Sequence, residues 1–309
     1  MFDYKLLSAL AAVIEQAGFE RAAQLLGLSQ SAISQRIKLL EARVGQPVLA
    51  PPSPPTPTDI GLRLLNHVQQ VRLLERDLQG QVPALDEEGL PERLPITLNA
   101  DSLATWWGEA AKDFCAETQV LLDLVVEDQE VGLKRMRAGE VAGCLCASER
   151  PVAGARSVLL GAMRYRALAS PAFMARHFGE GVELQRLART PAIVFGPDDF
   201  LQHRYLASLG ISDGFLHHLC PSSEGFLRMT EAGLGWGLVP ELQAREQLAS
   251  GRLVEIVAER PIDVPLYWHH WRSGGQLLNQ LTDHLRRSAG QWLVPWDGQA
   301  ASAPSGKKS

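Results

Sequence analysis

Gly18 to Val48 reads GFERAAQLLGLSQSAISQRIKLLEARVGQPV, and this stretch decides the architecture of the amino-terminal part of the chain. Two short amphipathic helices joined by a tight turn are written in it. The first carries Phe19, Ala22, Ala23, Leu25 and Leu26 and stops at Gly27, a residue able to adopt the left-handed conformation that ends helices. The second starts after Leu28 with Ser29 as N-cap. Its apolar residues Ile33, Ile37, Leu40 and Val44 recur at helical spacing, which leaves Gln30, Ser31, Ser34, Gln35 and Lys38 outside. Amides, hydroxyls and a cation are the groups that address base edges and phosphates, so the pattern predicts a helix-turn-helix whose second helix enters a major groove. An ordinary helical hairpin with a solvated polar face fits the spacing equally well.

Resemblance separates the two. The run RAAQLLGLSQSAISQRIKLLEARVGQPVL, Arg21 to Leu49, is similar to the amino-terminal motif of the LysR-type transcriptional regulators. That similarity implies a winged helix-turn-helix in which Arg21, Gln30, Ser31, Ser34, Gln35, Arg36 and Lys38 meet operator DNA.

Length and composition bound the rest. At 309 residues two or three compact units are expected, and 46% hydrophobic with 21% charged residues suits a globular chain with a sizeable core. The start, Met-Phe-Asp-Tyr-Lys, runs straight into an amphipathic helix, so no cleavable signal is expected, and no run of apolar residues is long enough for a membrane span. Cys115, Cys144, Cys146 and Cys220 sit mostly inside apolar runs, which favours reduced thiols and a cytoplasmic location. The net charge of −5 does not announce a nucleic-acid binder. A local patch of Arg21, Arg36 and Lys38 can still meet phosphates, and binding at useful salt then needs two copies, hence a homodimer or homotetramer.

Ahead of the motif, residues 3–16 predict a helix with Tyr4, Leu6, Leu7, Leu10, Val13 and Ile14 buried. Behind it, Ala50 to Pro57 holds five prolines in eight residues, which forbids helix and central strand alike. The family resemblance places a small β-wing here, commonly preceded by an arginine; this chain carries no positive charge at that place. Thr58 then caps a long helix to about Val82. Leu64, Val68, Val71, Glu75, Leu78 and Val82 alternate steps of four and three, the seam of a dimerising coiled coil, with packing on its own domain as the alternative. Leu85 to Pro95 suits a hinge.

From Leu94 strands and helices alternate, with one helix over Ser102–Glu117 among them, which predicts parallel sheets with helices on both faces, arranged as two lobes around a ligand. The division expected is 1–57 for the winged helix-turn-helix and 58–88 for the linker helix and hinge. Residues 89–309 form an α/β effector domain like a periplasmic binding protein, with one lobe of 89–162 and 266–296, a second of 163–265, and a tail of 297–309. The tail AASAPSGKKS is expected to be disordered.

Two strand-to-helix junctions, Asn99-Ala-Asp-Ser-Leu-Ala-Thr-Trp106 and Pro221-Ser-Ser-Glu-Gly-Phe226, could hold a carboxylate on helix amides and hydroxyls, although serine and aspartate are also ordinary N-caps. Acidic residues gather at other strand ends: Asp101, Glu127, Asp128, Asp198, Asp199 and Glu224. Carboxylates in a partly dry cleft select a cation, and an anion site beside an acidic wall describes a basic amino acid. NADSLATW, VED, RxGEVxG, SSEGF, VP.LQ…LASG.L and LYWH resemble the ArgP/LysG branch of the LysR-type regulators over about residues 3–295. What that implies is lysine or arginine sensing, with Asp101, Ser102, Thr105, Asp128, Asp198, Ser222, Ser223 and Glu224 as pocket residues. Pro221 stands where the branch commonly has Asn, and Gly225 where it has Ala.

Catalysis is not expected. His217-His218 and His269-His270 are neighbours on strands and point to opposite faces, Cys144-Leu-Cys146 lacks zinc or redox spacing, and no phosphate loop, Gly-x-Ser-x-Gly or His-Glu-x-x-His occurs. No cofactor or metal is expected. The partners expected are an operator duplex, a small effector, further copies of the chain and RNA polymerase. Two other readings stay open: a DNA-architectural or replication-control protein on curved A/T-rich DNA, and a solute-binding or enzymatic α/β module with an accessory DNA domain.

Overall fold

The computed structural model describes residues 3–51, 54–81, 93–127, 129–179, 181, 183–211, 214–272 and 274–298. The expected hinge up to residue 92, the acidic Asp128 and the carboxyl-terminal tail from residue 299 lie outside these.

The amino-terminal unit is built from α1 (Tyr4–Glu15), α2 (Phe19–Leu25), α3 (Gln30–Val44), β1 (Leu49–Ala50), β2 (Thr56–Pro57) and α4 (Asp59–Gln81). Its local signals are those the sequence carries. The Asp3 side chain caps α1, Ser29 Oγ accepts from the Ala32 amide at 3.2 Å, and Gly45 closes α3 with a φ of +80°. Leu6, Leu7, Leu10 and Val13 of α1 pack on Ala22 and Ala23 of α2 and on Ile33, Ile37 and Leu40 of α3. Tyr4 is exposed instead, its hydroxyl 3.1 Å from His67 Nε2. In the proline run, β1 and β2 pair antiparallel through Leu49–Pro57 and Ala50–Thr56. Both strands of a two-stranded ribbon are edges, the one strand position proline tolerates.

The long helix begins inside the amino-terminal unit, and the seam positions Leu78 and Val82 lie outside the described side chains. Leu64 and Val68, the first two seam positions, are buried with Leu65 in the core of the amino-terminal unit. The alternative of packing on its own domain therefore describes this end of α4, because a four-three spacing marks an apolar stripe without saying what covers it.

The second part follows as β3 (Arg93–Leu98), α5 (Ala100–Thr105), α6 (Trp107–Thr118), β4 (Leu121–Val126), α7 (Gln129–Ala138), β5 (Gly143–Cys146), β6 (Ala155–Ala169), α8 (Pro171–Phe178), β7 (Ala192–Val194), α9 (Leu201–Ser208), β8 (His217–Leu219), α10 (Ser223–Glu231), β9 (Gly237–Pro240), α11 (Glu241–Ala249), β10 (Val254–Glu255), β11 (Ile262–Trp271) and α12 (Gly275–Trp292). One helix was expected over Ser102–Glu117; the chain breaks it at Trp106. Both Trp106 and Trp107 are buried, and a continuous helix would turn the second indole about 100° from the first.

Parallel pairing holds for β3 with β4 and β5, and for β7 with β8. The expected all-parallel sheets do not form, however, because β6 and β11 run antiparallel along each other for most of their length. The first half of β6 and the second half of β11 complete one lobe with β3, β4 and β5. The second half of β6 carries β9 and β10 in the other. Both lobes thus share two continuous strands, irregular between Leu266 and Tyr267. Facing that irregularity, Ala162 and Val294 exchange backbone hydrogen bonds of 2.8 and 2.9 Å. The core beneath includes Trp106, Trp107, Trp236 and Trp268, with Trp268 Nε1 donating to Thr282 at 3.0 Å.

Candidate functional site

Two sites emerge from this frame. On α3, the buried stripe of Ile33, Ile37 and Leu40 fixes which side faces outward. Gln30, Ser31, Gln35 and Lys38 are exposed, and Ser34 and Arg36 are half-buried at the flanks. Among the described residues Gln30, Ser34, Gln35, Arg36 and Lys38 make no side-chain hydrogen bond or ion pair within the chain. Ser31 Oγ lies 3.0 Å from Ser29 Oγ, joined to the cap, and the Arg21 guanidinium donates to the Ala17 carbonyl at 3.2 Å. Glu41 belongs to the structure of the unit: its carboxylate accepts from the Val48 amide at 3.0 Å and ties the end of α3 to the wing. A helix held by its apolar stripe and presenting unpaired amides, hydroxyls and cations is suited to a groove of duplex DNA.

The other site lies where the two lobes meet. β3 delivers its last residue, Leu98, to the start of α5, so Asp101 stands at the carboxyl end of a parallel strand, the usual position for a ligand crevice in such sheets. Its carboxylate accepts two hydrogen bonds from distant parts of the chain, Tyr165 OH on β6 and Ser223 Oγ on α10, each at 2.7 Å. Ser223 is held in turn by Gln243, whose Nε2 donates to the Ser223 carbonyl at 3.1 Å. Burial pushes the Asp101 carboxyl up from its ordinary value of 3.8, against the pull of the Ser223 and Tyr165 hydrogen bonds, and the nearby Asp199 carboxylate adds to the rise. Burial, with Asp101 alongside, likewise holds the Tyr165 phenol well above its usual range. Beside this bridge, Ser102 Oγ and Asn99 Oδ1 are enclosed and have no partner within the chain.

The expected crevice residues therefore divide. Asp101, Ser102 and Ser223 come together. Thr105 turns inward, its hydroxyl donating to the Asp101 carbonyl at 2.6 Å. Ser222 serves as the N-cap of α10, accepting from the Gly225 amide at 3.1 Å, and Glu224 is exposed and paired with Arg228 on the same helix. Asp198 is exposed and joins none of these bonds, while Asp199 accepts from the Phe195 and Leu201 amides just ahead of α9. Glu127 is taken by Arg135. Tyr165, Gln243 and Asn99 were not anticipated as site residues. Asn99 and Gln243 stand inside the resembling segments NADSLATW and VP.LQ, whereas nothing local distinguishes Tyr165.

The remaining reactive groups are structural. His269 Nε2 donates to the Ser148 carbonyl at 2.7 Å, and burial lowers the pKa of both His269 and His270 from 6.5. Cys144 and Cys146 are buried. Among the described residues no group of three or more His, Cys, Asp or Glu could hold a metal ion, and no helix is long and apolar enough to cross a membrane.

Residues 4–62 match the family of bacterial regulatory helix-turn-helix proteins of the lysR family, and residues 88–290 match the LysR substrate binding domain. The chain is 81% identical over 297 residues to the HTH-type transcriptional regulator ArgP of Pseudomonas fluorescens strain Pf0-1, covering 96% of this chain and 100% of the relative. It is 73% identical to ArgP of Pseudomonas aeruginosa PAO1 over 298 residues, covering 96% of this chain and 99% of that one. Among solved structures, ArgP from Mycobacterium tuberculosis superposes with a TM-score of 0.86 at 35% identity, over 96% of this chain and 100% of that one. Full-length LysG from Corynebacterium glutamicum with bound effector Arg gives 0.76 at 34% identity, over 95% and 100%. Such proteins are transcription factors and not enzymes. The chain belongs to the LysR family of transcriptional regulators, in its ArgP branch.

Proposed function

We propose that this regulator binds operator DNA as a homo-oligomer through the outward face of α3 and senses a basic amino acid, lysine or arginine, in the crevice between its lobes. The single observation that carries the sensing is the enclosed Asp101 carboxylate, bonded to one hydroxyl from the crossover strand and one from the opposite lobe. A cationic ligand group that replaces the Ser223 hydroxyl on Asp101 would exchange a neutral hydrogen bond for a charge-assisted one. Ser102 and Asn99, enclosed and unpaired, supply polar contacts for the rest of a zwitterion. The arginine bound in the C. glutamicum relative supports the same ligand class.

Because Asp101 and Ser223 belong to different lobes, a ligand between them favours one lobe arrangement only to the extent of its differential affinity for it. Oligomers then pass that preference to paired operator contacts, and through these to RNA polymerase. Such a protein works in the cytoplasm, where its operator is. Isothermal titration of the full-length protein with L-lysine, L-arginine, L-leucine and L-glutamate tests the ligand class. Saturable heat with either basic amino acid alone is expected, together with a rise in melting temperature corresponding to ~2.7 kcal/mol at a hundredfold excess over Kd. No binding of either basic amino acid, or equal binding of leucine, would overturn the reading.

A further inference from the structure

The helix α4 is shared between two bodies. Leu64, Leu65 and Val68 face the core of the amino-terminal unit, while Asn66, on the same turn, faces the first lobe. Its Nδ2 donates to the Arg137 carbonyl at the end of α7 at 3.1 Å, and its Oδ1 accepts from Gln70 Nε2 at 2.6 Å, which fixes the amide. Next to Arg137, Gly139 takes a φ of +76° and lies so close that a Cβ there would overlap Asn66 Cα and come within 2.8 Å of its backbone nitrogen. Backbone rests on backbone at this point, and only glycine allows it.

The other end of α7 reaches the crevice. Glu127, at the tip of β4, donates its amide to the Leu98 carbonyl at 3.2 Å, three residues before Asp101. Its carboxylate accepts from Arg135 Nε and Nη2 at 2.9 and 2.6 Å, and Arg135 Nη1 donates to Glu140 at 2.8 Å. Arg135 thus brackets α7 from the crevice side to the residue after Gly139. The helix cannot slide on the sheet: Leu133 and Met136 are buried, and a Cβ on Gly132 would come within 2.9 Å of Cys144 Sγ and 3.0 Å of Thr97 Oγ1. α7 therefore moves with the first lobe as one piece. Among the described residues, what joins α7 to α4 is small by comparison, one exposed hydrogen bond and one close backbone approach, and α4 also packs against α12 of the same lobe.

We propose that the Asn66–Gly139 contact is a latch: closed, it makes the helix-turn-helix unit ride rigidly on the first lobe, and its opening and closing is how crevice occupancy reaches the DNA-binding unit. This rests on the reading of the crevice as the effector site. A latch needs two populated arrangements that ligand and DNA bias differently, and the structure shows the closed one.

The test uses the full-length protein with three substitutions. Asn66→Ala removes the hydrogen bond. Gly139→Asn keeps a residue tolerant of the left-handed region while wedging α4 away. Gly251→Asn is the control, at φ +72° with nothing within 4 Å of a Cβ. Arginine binding is read by calorimetry, and operator binding, with and without arginine, by fluorescence anisotropy and footprinting. Expected for Asn66→Ala and Gly139→Asn is an arginine Kd within about twofold of wild type, with the arginine-induced change in operator binding reduced at least about threefold; the control keeps the full change. Hydrogen exchange along residues 59–72 is expected to quicken in both latch variants. A full arginine response in both variants, or a loss of arginine binding that accounts for the lost response, overturns the latch. If wild type binds no basic amino acid, the crevice reading fails as well, an outcome distinct from a responsive wild type with equally responsive variants.

Discussion

The recognition helix and the crevice treat polar side chains in opposite ways. Along α3, Gln30, Ser34, Gln35, Arg36 and Lys38 make no side-chain hydrogen bond or ion pair among the described residues, so no polar contact there depends on them. At the crevice, Asp101 is satisfied by Tyr165 and Ser223, residues 64 and 122 positions away, and the fold depends on the set. On the proposed reading, one site keeps its hydrogen-bonding capacity for DNA, and the other uses it to hold two lobes together until a ligand substitutes. Mutations should therefore separate function from stability on α3 and confound the two at the crevice.

The largest expected effect is at Asp101. Asp101→Ala strands the buried Tyr165 hydroxyl, leaves Ser223 Oγ only the Gln243 Oε1 acceptor at 3.1 Å, and removes the carboxylate for a cation, so arginine affinity is expected to fall by a hundredfold or more, ~3 kcal/mol, and unfolding free energy by ~2 kcal/mol, read by calorimetry and urea titration. An alanine variant that keeps wild-type affinity would erase the contrast. On α3, Ser34→Ala or Arg36→Ala is expected to weaken operator binding by roughly tenfold while changing stability by less than ~1 kcal/mol. If Arg36 meets phosphate, the slope of log affinity against log salt falls by about one. Unchanged gel-shift affinity in both variants would remove the DNA-binding role from this face.

Much of α3 was legible because its signals are local: a cap at Ser29, a stripe three and four residues apart, and a glycine stop. The crevice was legible only in part. Ser222 and Ser223 are adjacent and chemically alike, yet one caps α10 and the other bridges to Asp101, a difference set by long-range packing. Tyr165 carries no local mark at all. The stripe on α4 was legible only as a stripe, since periodicity reports an apolar face but not its partner, and at its first two positions, Leu64 and Val68, the cover comes from within. Trp106 and Trp107 broke a helix that contains neither proline nor glycine inside the break, because both indoles must reach the core.

pH sharpens the comparison inside the effector half. Burial raises the Asp101 pKa, so the folded chain holds a proton that the unfolded chain releases, and stability should fall as pH rises from 3.8 through the raised value. His269 and His270 have the opposite sign: burial depresses them, the unfolded chain protonates first, and stability should fall as pH drops below 6.5. Denaturant titrations across this range should show the first slope vanish in Asp101→Asn and the second persist. The smallest effect is expected at Glu224, exposed and paired only with Arg228. Glu224→Gln should change arginine affinity by less than about twofold, and a larger loss in calorimetry would return it to the pocket.

The backbone exchange between Ala162 and Val294 has a consequence for handling the protein. It pins the far end of the polypeptide to the crossover strand beside the irregularity where the lobes diverge, like a rod dropped through a door hinge. Fusions appended after Gly298 leave the rod seated. Deletions that remove Val294 withdraw it, and should loosen both halves of the clamp at once rather than merely shorten the chain.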